Sequence, residues 1–377
     1  MVGVSGAGII LVAAALFLKP HQPPAFLHAA TPAASSHNVP ADAEQMFLRG
    51  RYYWNLRTAD SLTKAIDAYT QAIVKYPSYA DAYAGLAEAY DLLPQFAYAD
   101  PGPSFTRAKE AADKAIRLNP NLASAHRAKG FALFFWDWDI TGSDAEFRRA
   151  LALDPGSAQT RKWYASTLQS RSESVECLKQ IDEALRLDPA SAAIATDAAL
   201  MHALFGNDSV ASLQRLAELE QTQPALLSPS EFRAEIAYTS GDFPLYIAER
   251  RRIASITKSA DDIALAQAAE RGWARSGKRG LLEALIAVQK EAVARDTEQG
   301  FWLGRDYIAL GEPSEALPYF RSALDRHQIP LIAMPECDWA IKLAHGPGYA
   351  SLLGQIRLRL RGHLPYPDAV PLQCQIP

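Results

Sequence analysis

Five prolines recur along the chain at Pro77, Pro120, Pro155, Pro189 and Pro224, separated by 43, 35, 34 and 35 residues. An internal period of about 34 residues is the mark of a two-helix repeat, in which each unit buries its apolar face only by stacking on its neighbours. Helix-like stretches with apolar residues at offsets of four and three precede these prolines: Ala65, Tyr69 and Ala72; Ala108, Ala112 and Ala115; Phe147 and Ala150; Ile181 and Ala184. Such offsets define one helical face. Proline then stops the second helix of each unit, because it disfavours a helical residue before it and has no amide donor.

Small residues on that face have a physical reason. Two antiparallel helices approach closely only where a ridge is missing, while an aromatic or branched neighbour fills the groove. The first helix of the following unit carries the matching pattern in Tyr83, Leu86, Ala87 and Tyr90, in Gly130 and Leu133, and in Tyr164, Ala165 and Leu168; Gly50 and Tyr53 play these parts in the first unit. On these residues the stretch from Ala43 to Pro189 resembles the tetratricopeptide repeat family. Beyond Pro224 the resemblance weakens, yet Gly241-Asp242, Gly277 and Leu310-Gly311-Glu312 look like turns inside three more hairpins, and Ala316, Phe320 and Ala323 repeat the second-helix pattern. The expectation is an all-α chain: an α-solenoid superhelix of about eight hairpins, with repeats over 41–224 and three degenerate ones over 225–362.

A narrower resemblance lies in Leu48-Arg49-Gly50-Arg51-Tyr52-Tyr53-Trp54, in Tyr83-Ala84-Gly85-Leu86-Ala87 with Tyr90, and in Trp136-Asp137-Trp138. These segments resemble the C-terminal repeat domain of membrane-bound bacterial winged-helix regulators of the CadC-like type. That family places a DNA-binding domain in the cytoplasm, one membrane helix, then the repeats outside. No winged helix precedes Val2, so DNA binding is not carried over. Either the chain is a stand-alone anchored scaffold, or it is the sensory portion of a regulator whose reading frame begins upstream.

From Val2 to Leu18 there is no charge and only Ser5 is clearly polar, close to the shortest apolar run that crosses a bilayer as a helix. No Lys or Arg precedes it, which favours an uncleaved anchor over 1–20, although Ala29 and Ala30 could mark a signal cleavage site. Lys19 on the distal side argues for a cytoplasmic bulk, the family resemblance for a periplasmic one, and orientation stays open. Residues 21–40, rich in Pro, Ala and Ser, read as a flexible spacer. The segment 363–377 reads as a Pro-rich tail outside the solenoid that folds back or stays loose.

A formal net charge of -4, from 38 basic and 42 acidic residues, supplies no global excess of cations for nucleic acid. The three cysteines show no metal-ligand spacing. Cys177 falls on a packed helix as a buried thiol, which leaves Cys337 and Cys374 as the one plausible disulfide, and only outside the cytoplasm. The eight histidines form no HxxxH or HExxH, and His126 reads as a core or edge residue. Phosphate loops and a GxSxG elbow are missing as well. No metal, cofactor or catalytic residue is expected, and the chain reads as a non-enzyme.

Three local motifs have structural readings. Trp136-Asp137-Trp138-Asp139 sits at a hairpin joint, its tryptophans capping the interior and its aspartates facing water or capping the next helix. Arg250-Arg251-Arg252 reads as a solvated helix face, and Gly346-Pro347-Gly348 as a turn opening the last helix. The surface remains. In such solenoids first helices line a concave groove, and the register puts Arg51, Trp54, Glu88, Arg127, Phe131 and Lys162 at its exposed positions. Exposed aromatics and arginines are common hot spots, so the expected partner is a peptide or protein loop, with Arg127 and Lys162 favouring an acidic one.

Overall fold

The computed structural model describes residues 39–362 apart from 98, 207–208 and 296–299, together with 374, 375 and 377. The expected anchor over 1–20, nearly all of the spacer 21–40 and most of the tail lie outside the described residues. Among those described, no helix is long and apolar enough to cross a membrane.

Each proline of the 34-residue period opens the turn after a helix, as expected. Before the first four of them the preceding residue is forced out of the helical region to nearly the same backbone angles: Tyr76 at φ -140° and ψ 88°, Asn119 at -143° and 95°, Asp154 at -137° and 85°, Asp188 at -136° and 76°. Between these stops the chain forms consecutive antiparallel pairs: α1 (Ala41–Asn55) with α2 (Ala59–Lys75), α3 (Ala80–Ala97) with α4 (Pro101–Leu118), α5 (Ala123–Phe135) with α6 (Ile140–Leu153), and α7 (Ala158–Ser170) with α8 (Ser174–Leu187). The less regular half continues with α9 (Ala192–Phe205) and α10 (Ser209–Thr222), α11 (Ser228–Ser240) and α12 (Phe243–Thr257), the bent α13 (Ala260–Ala294), and α14 (Gly300–Leu310) with α15 (Pro313–Asp325).

α13 is a hairpin in its own right. Gly277, at φ 59°, breaks it, and the break lets Arg295 reach Asp261 at 2.5 Å. A straight helix of that length would hold its ends ~50 Å apart. Gly272 and Gly280 make the fold-back possible, since a Cβ on Gly272 would lie 2.2 Å from the Gly280 carbonyl oxygen. The turns at Gly241 and Gly311, both with positive φ, likewise fall where the sequence places them. Among the described residues the count is eight hairpins.

What spaces the helices is an aromatic ring set against glycine. Tyr69 of α2 is buried between α1 and α3, and a Cβ on either Gly50 or Gly85 would come within 2.6 Å of its ring. Phe147 meets Gly130 and Phe320 meets Gly304 in the same way, with a Cβ at 3.1 Å and 2.6 Å. The missing ridge and the filling ring are those anticipated from the pattern.

The carboxyl-terminal segment does not extend the array. A 3-10 segment (Ile329–Glu336), α16 (Asp338–Leu343) and α17 (Pro347–Arg359) fold back over α15 and reach the turn between α5 and α6. There Arg361 N donates to the Trp138 carbonyl at 3.0 Å, Ile140 N donates to the Arg361 carbonyl at 2.9 Å, and His327 Nδ1 donates to the Trp136 carbonyl at 3.1 Å. Cys374 is bonded to Cys337, so the tail folds back at that residue. Cys177 is a buried thiol donating to the Ala165 carbonyl.

Tyr69→Ala is expected to destabilise the N-terminal repeats by ~3–5 kcal/mol. The check is amide hydrogen exchange by region: protection should fall in α1–α3 while α11–α15 keep theirs. Uniform loss along the chain would contradict nearest-neighbour stacking.

Candidate functional site

The inner faces of the first helices, expected to line an open groove, are drawn together by a chain of aromatic rings. Trp54 at the end of α1 lies 6.3 Å from Trp163 of α7, Trp163 lies 4.6 Å from Phe131 of α5, and Phe131 lies 6.4 Å from Phe105 of α4. Phe105 then stacks on Trp136 at 6.0 Å, and Trp136 on His327 at 4.3 Å. Rings thus run from the first helix to the loop after α15.

This changes the exposure expected for the six inner-face residues. Trp54, Glu88 and Phe131 are buried, Arg127 and Lys162 are half-buried, and Arg51 alone is exposed, lying 5.9 Å over the Phe47 ring. The correction has a simple cause: aromatic side chains at groove positions bury each other when the superhelix brings α1 against α7.

Polar groups inside this face pair among themselves. Arg127 donates through Nε to Glu88 at 3.0 Å and through NH1 to Ser157 and Thr160 at 3.3 and 3.1 Å, tying α3 to α7 across α5. Its cation also stands 5.7 Å from the Trp163 ring. Lys162 pairs with Asp197 of α9 at 2.7 Å. Arg57, in a left-handed turn after α1, lays its guanidinium 3.8 Å over Trp54. Burial pushes that guanidinium down to about 10, opposed by the charge of Glu88, so it stays cationic at neutral pH.

Asp91, one turn beyond Glu88 on α3, was missed by sequence reasoning. It is 2% exposed and neither carboxylate oxygen has a hydrogen-bond partner among the described residues. Burial, reinforced by the negative charge of Glu88, raises its pKa well above 3.8. An aspartate set between Tyr90 and the Leu92–Leu93 pair, on the apolar stretch of α3, was the available signal.

Other anticipated features resolve in the same network. His126 donates from Nδ1 to Glu146 at 2.6 Å and from Nε2 to the Pro120 carbonyl at 3.0 Å, and two acceptors require the doubly protonated ring. Its pKa is accordingly raised, chiefly by the hydrogen bond to Glu146. Asp139 caps α6 by accepting from Gly142 N at 2.8 Å, and Trp138 is buried, while Asp137 pairs with Lys109 at 2.7 Å instead of facing water. The arginine run is not a solvated face. Arg250 donates to the Tyr246 hydroxyl at 3.1 Å and Arg252 to Ser230 at 3.0 Å, which leaves Arg251 as its exposed member.

No protein-family profile matches the chain. Over 152 residues it is 33% identical to the transcriptional regulator HilA of Salmonella typhimurium, a match covering 40% of this chain and 27% of that protein. The chain thus spans well under two thirds of the length of the curated relatives it matches. Among solved structures, the human IFIT1 dimer with m7Gppp-AAAA is similar at 13% identity, covering 75% of this chain and 72% of that one with a TM-score of 0.54. That likeness is one of fold. A thermophilic tetratricopeptide-repeat protein of Thermus thermophilus is 23% identical, covering 44% of this chain and 84% of that one with a TM-score of 0.37.

Because the pKa of Asp91 is raised by folding, the native state binds the proton more tightly, and stability is lost as pH rises above about 3.8 through the folded value. Asp91→Asn should therefore raise the thermal midpoint at pH 8, with the gain shrinking towards zero as pH approaches 4. A gain independent of pH in differential scanning fluorimetry would contradict the assignment.

Proposed function

We infer that this chain, a tetratricopeptide-type repeat protein by fold, is a tethered binding scaffold that engages a protein or peptide partner at the amino-terminal end of the described array. The observation carrying this reading is the outward face of α1. Leu48, Tyr52 and Leu56 stand in one line there at 50%, 61% and 49% exposure, beside exposed Gln45 and Arg51. The equivalent positions in α3 and α5 are Gly85, Ala89, Ala128 and Ala132, all buried against the preceding unit. A terminal repeat ordinarily carries a polar outer face for solubility. An exposed row of leucine and tyrosine flanked by arginine has instead the composition of an interface core. Leu48 where an internal helix has glycine also keeps a further repeat from stacking at the native spacing, so the partner is something other than another unit. Of the six inner-face candidates, Arg51 borders this surface, whereas Trp54, Glu88, Arg127, Phe131 and Lys162 are engaged internally.

The tether is the apolar run Val2–Leu18, and the repeats lie outside the cytoplasm in this reading. The Cys337–Cys374 bond supports that compartment, since such bonds persist in oxidising surroundings. No step of it needs catalysis or a cofactor.

A second reading, favoured by the partial similarity to HilA and by the local motifs, makes the chain the sensory portion of a transmembrane winged-helix regulator. An in-frame stop codon close upstream of Met1 in the transcript would sink it.

Two experiments test the first reading. A photo-crosslinking residue at Tyr52 should give a discrete adduct that one at Val74 does not, and Leu48→Glu should abolish it; identical adducts from both positions count against the end-face site. Protease added to spheroplasts should digest the repeat region from outside, and protection until lysis would reverse the assigned orientation.

A further inference from the structure

We propose that the pocket between the α5–α6 turn and the carboxyl-terminal segment is a binding site for an organic carboxylate. It has an open volume of about 410 Å³, the size of a small-molecule site, and its walls include Trp136, Trp138, His327, Leu358, Arg359 and Arg361. The α1 surface takes no part in it.

Its charge is positive in a chain whose net charge is -4. The one acidic wall residue, Asp137, is neutralised by Lys109 at 2.7 and 2.8 Å. Arg359 donates to the Leu324 carbonyl and has only the exposed Asp325 near it, at 3.8 Å. Arg361 is exposed, and among the described residues its bonds are made by the backbone alone. Its guanidinium is thus available for a bidentate contact with a carboxylate.

One further observation points to an occupant. Leu358, at 86% exposure, is an apolar residue standing open at the rim. The ligand is then an acid with an apolar body: the carboxylate on Arg361, the body over Leu358 and the edge of Trp136. The same chemistry is presented by a free small acid and by the C-terminal carboxylate of a peptide. Because the walls come from two distant parts of the array, an occupant favours the closed arrangement of both.

Calorimetric titration of the full-length chain in non-ionic detergent tests this, with four probes: indole-3-propionate, a tetrapeptide ending in leucine, the same tetrapeptide as its amide, and inorganic phosphate. Binding of either carboxylate, with weaker or no binding of the amide and phosphate, is the expected result. The tighter of the two carboxylates identifies the source. Arg361→Gln should weaken it by at least ~tenfold. Leu358→Glu, at a solvent-facing position, should abolish it, and Arg279→Gln on a distant exposed face should leave it unchanged. Failure of both carboxylates to bind, phosphate or the amide binding as tightly as they do, or wild-type affinity in Arg361→Gln, overturns the proposal.

Discussion

The hairpins α1–α2, α5–α6 and α14–α15 rest on one kind of contact, an aromatic ring of a second helix pressed against glycine in a first helix. Tyr69 touches α1 at Gly50 and α3 at Gly85, so one side chain both closes its own hairpin and sets the distance to the next. No side chain larger than hydrogen fits there without moving a ring that has no free space to enter. The alanines around it, Ala65, Ala68 and Ala72, are buried because the helices come that close. Where the ring is Phe147 or Phe320 the geometry repeats, so α14–α15 in the less regular half packs as α1–α2 and α5–α6 do.

Stacking of this kind is local, and alone it would leave an open spiral. Two longer-range features close it. Aromatic rings from Trp54 to His327 bridge helices that are not sequence neighbours, and the backbone at Arg361 pairs with Trp138 and Ile140. The hydrogen bond from His327 to Trp136 spans 191 residues. Closing so long a loop costs only slowly growing entropy, and the shared apolar core of Phe134, Trp138, Ile140, Phe301 and Leu324 offsets it. The Cys337–Cys374 bond then holds the last residues of the tail to the segment that makes this contact.

The polar interior follows from closure. Glu88 and Arg127, or Lys162 and Asp197, would be ordinary surface charges in an open groove, worth little as ion pairs. Brought together among aromatic rings, they must satisfy one another, and each becomes hard to replace singly because its partner would be left buried without a counter-charge. Asp91 shows the cost of an incomplete network, since it carries a carboxyl group that folding desolvates and nothing nearby compensates.

The sequence by itself determined the elements and their pairing. The proline period set the hairpin boundaries, the Ala–Tyr–Ala face set the packing surface, and Gly241, Gly277 and Gly311 marked the later turns. The disulfide followed from elimination among three cysteines. All of these are encoded within a few dozen residues, by helical period, φ restriction and side-chain volume. Only the tertiary structure decided which inner-face residues meet solvent. Trp54 and Phe131 sit at positions that are exposed in an open superhelix and buried in this one, and Trp136-Asp137-Trp138 proved to be a docking point for the carboxyl terminus as well as a hairpin joint. The reason is physical: exposure there depends on contacts between segments up to 191 residues apart, and no local pattern of residues records where such distant segments will meet.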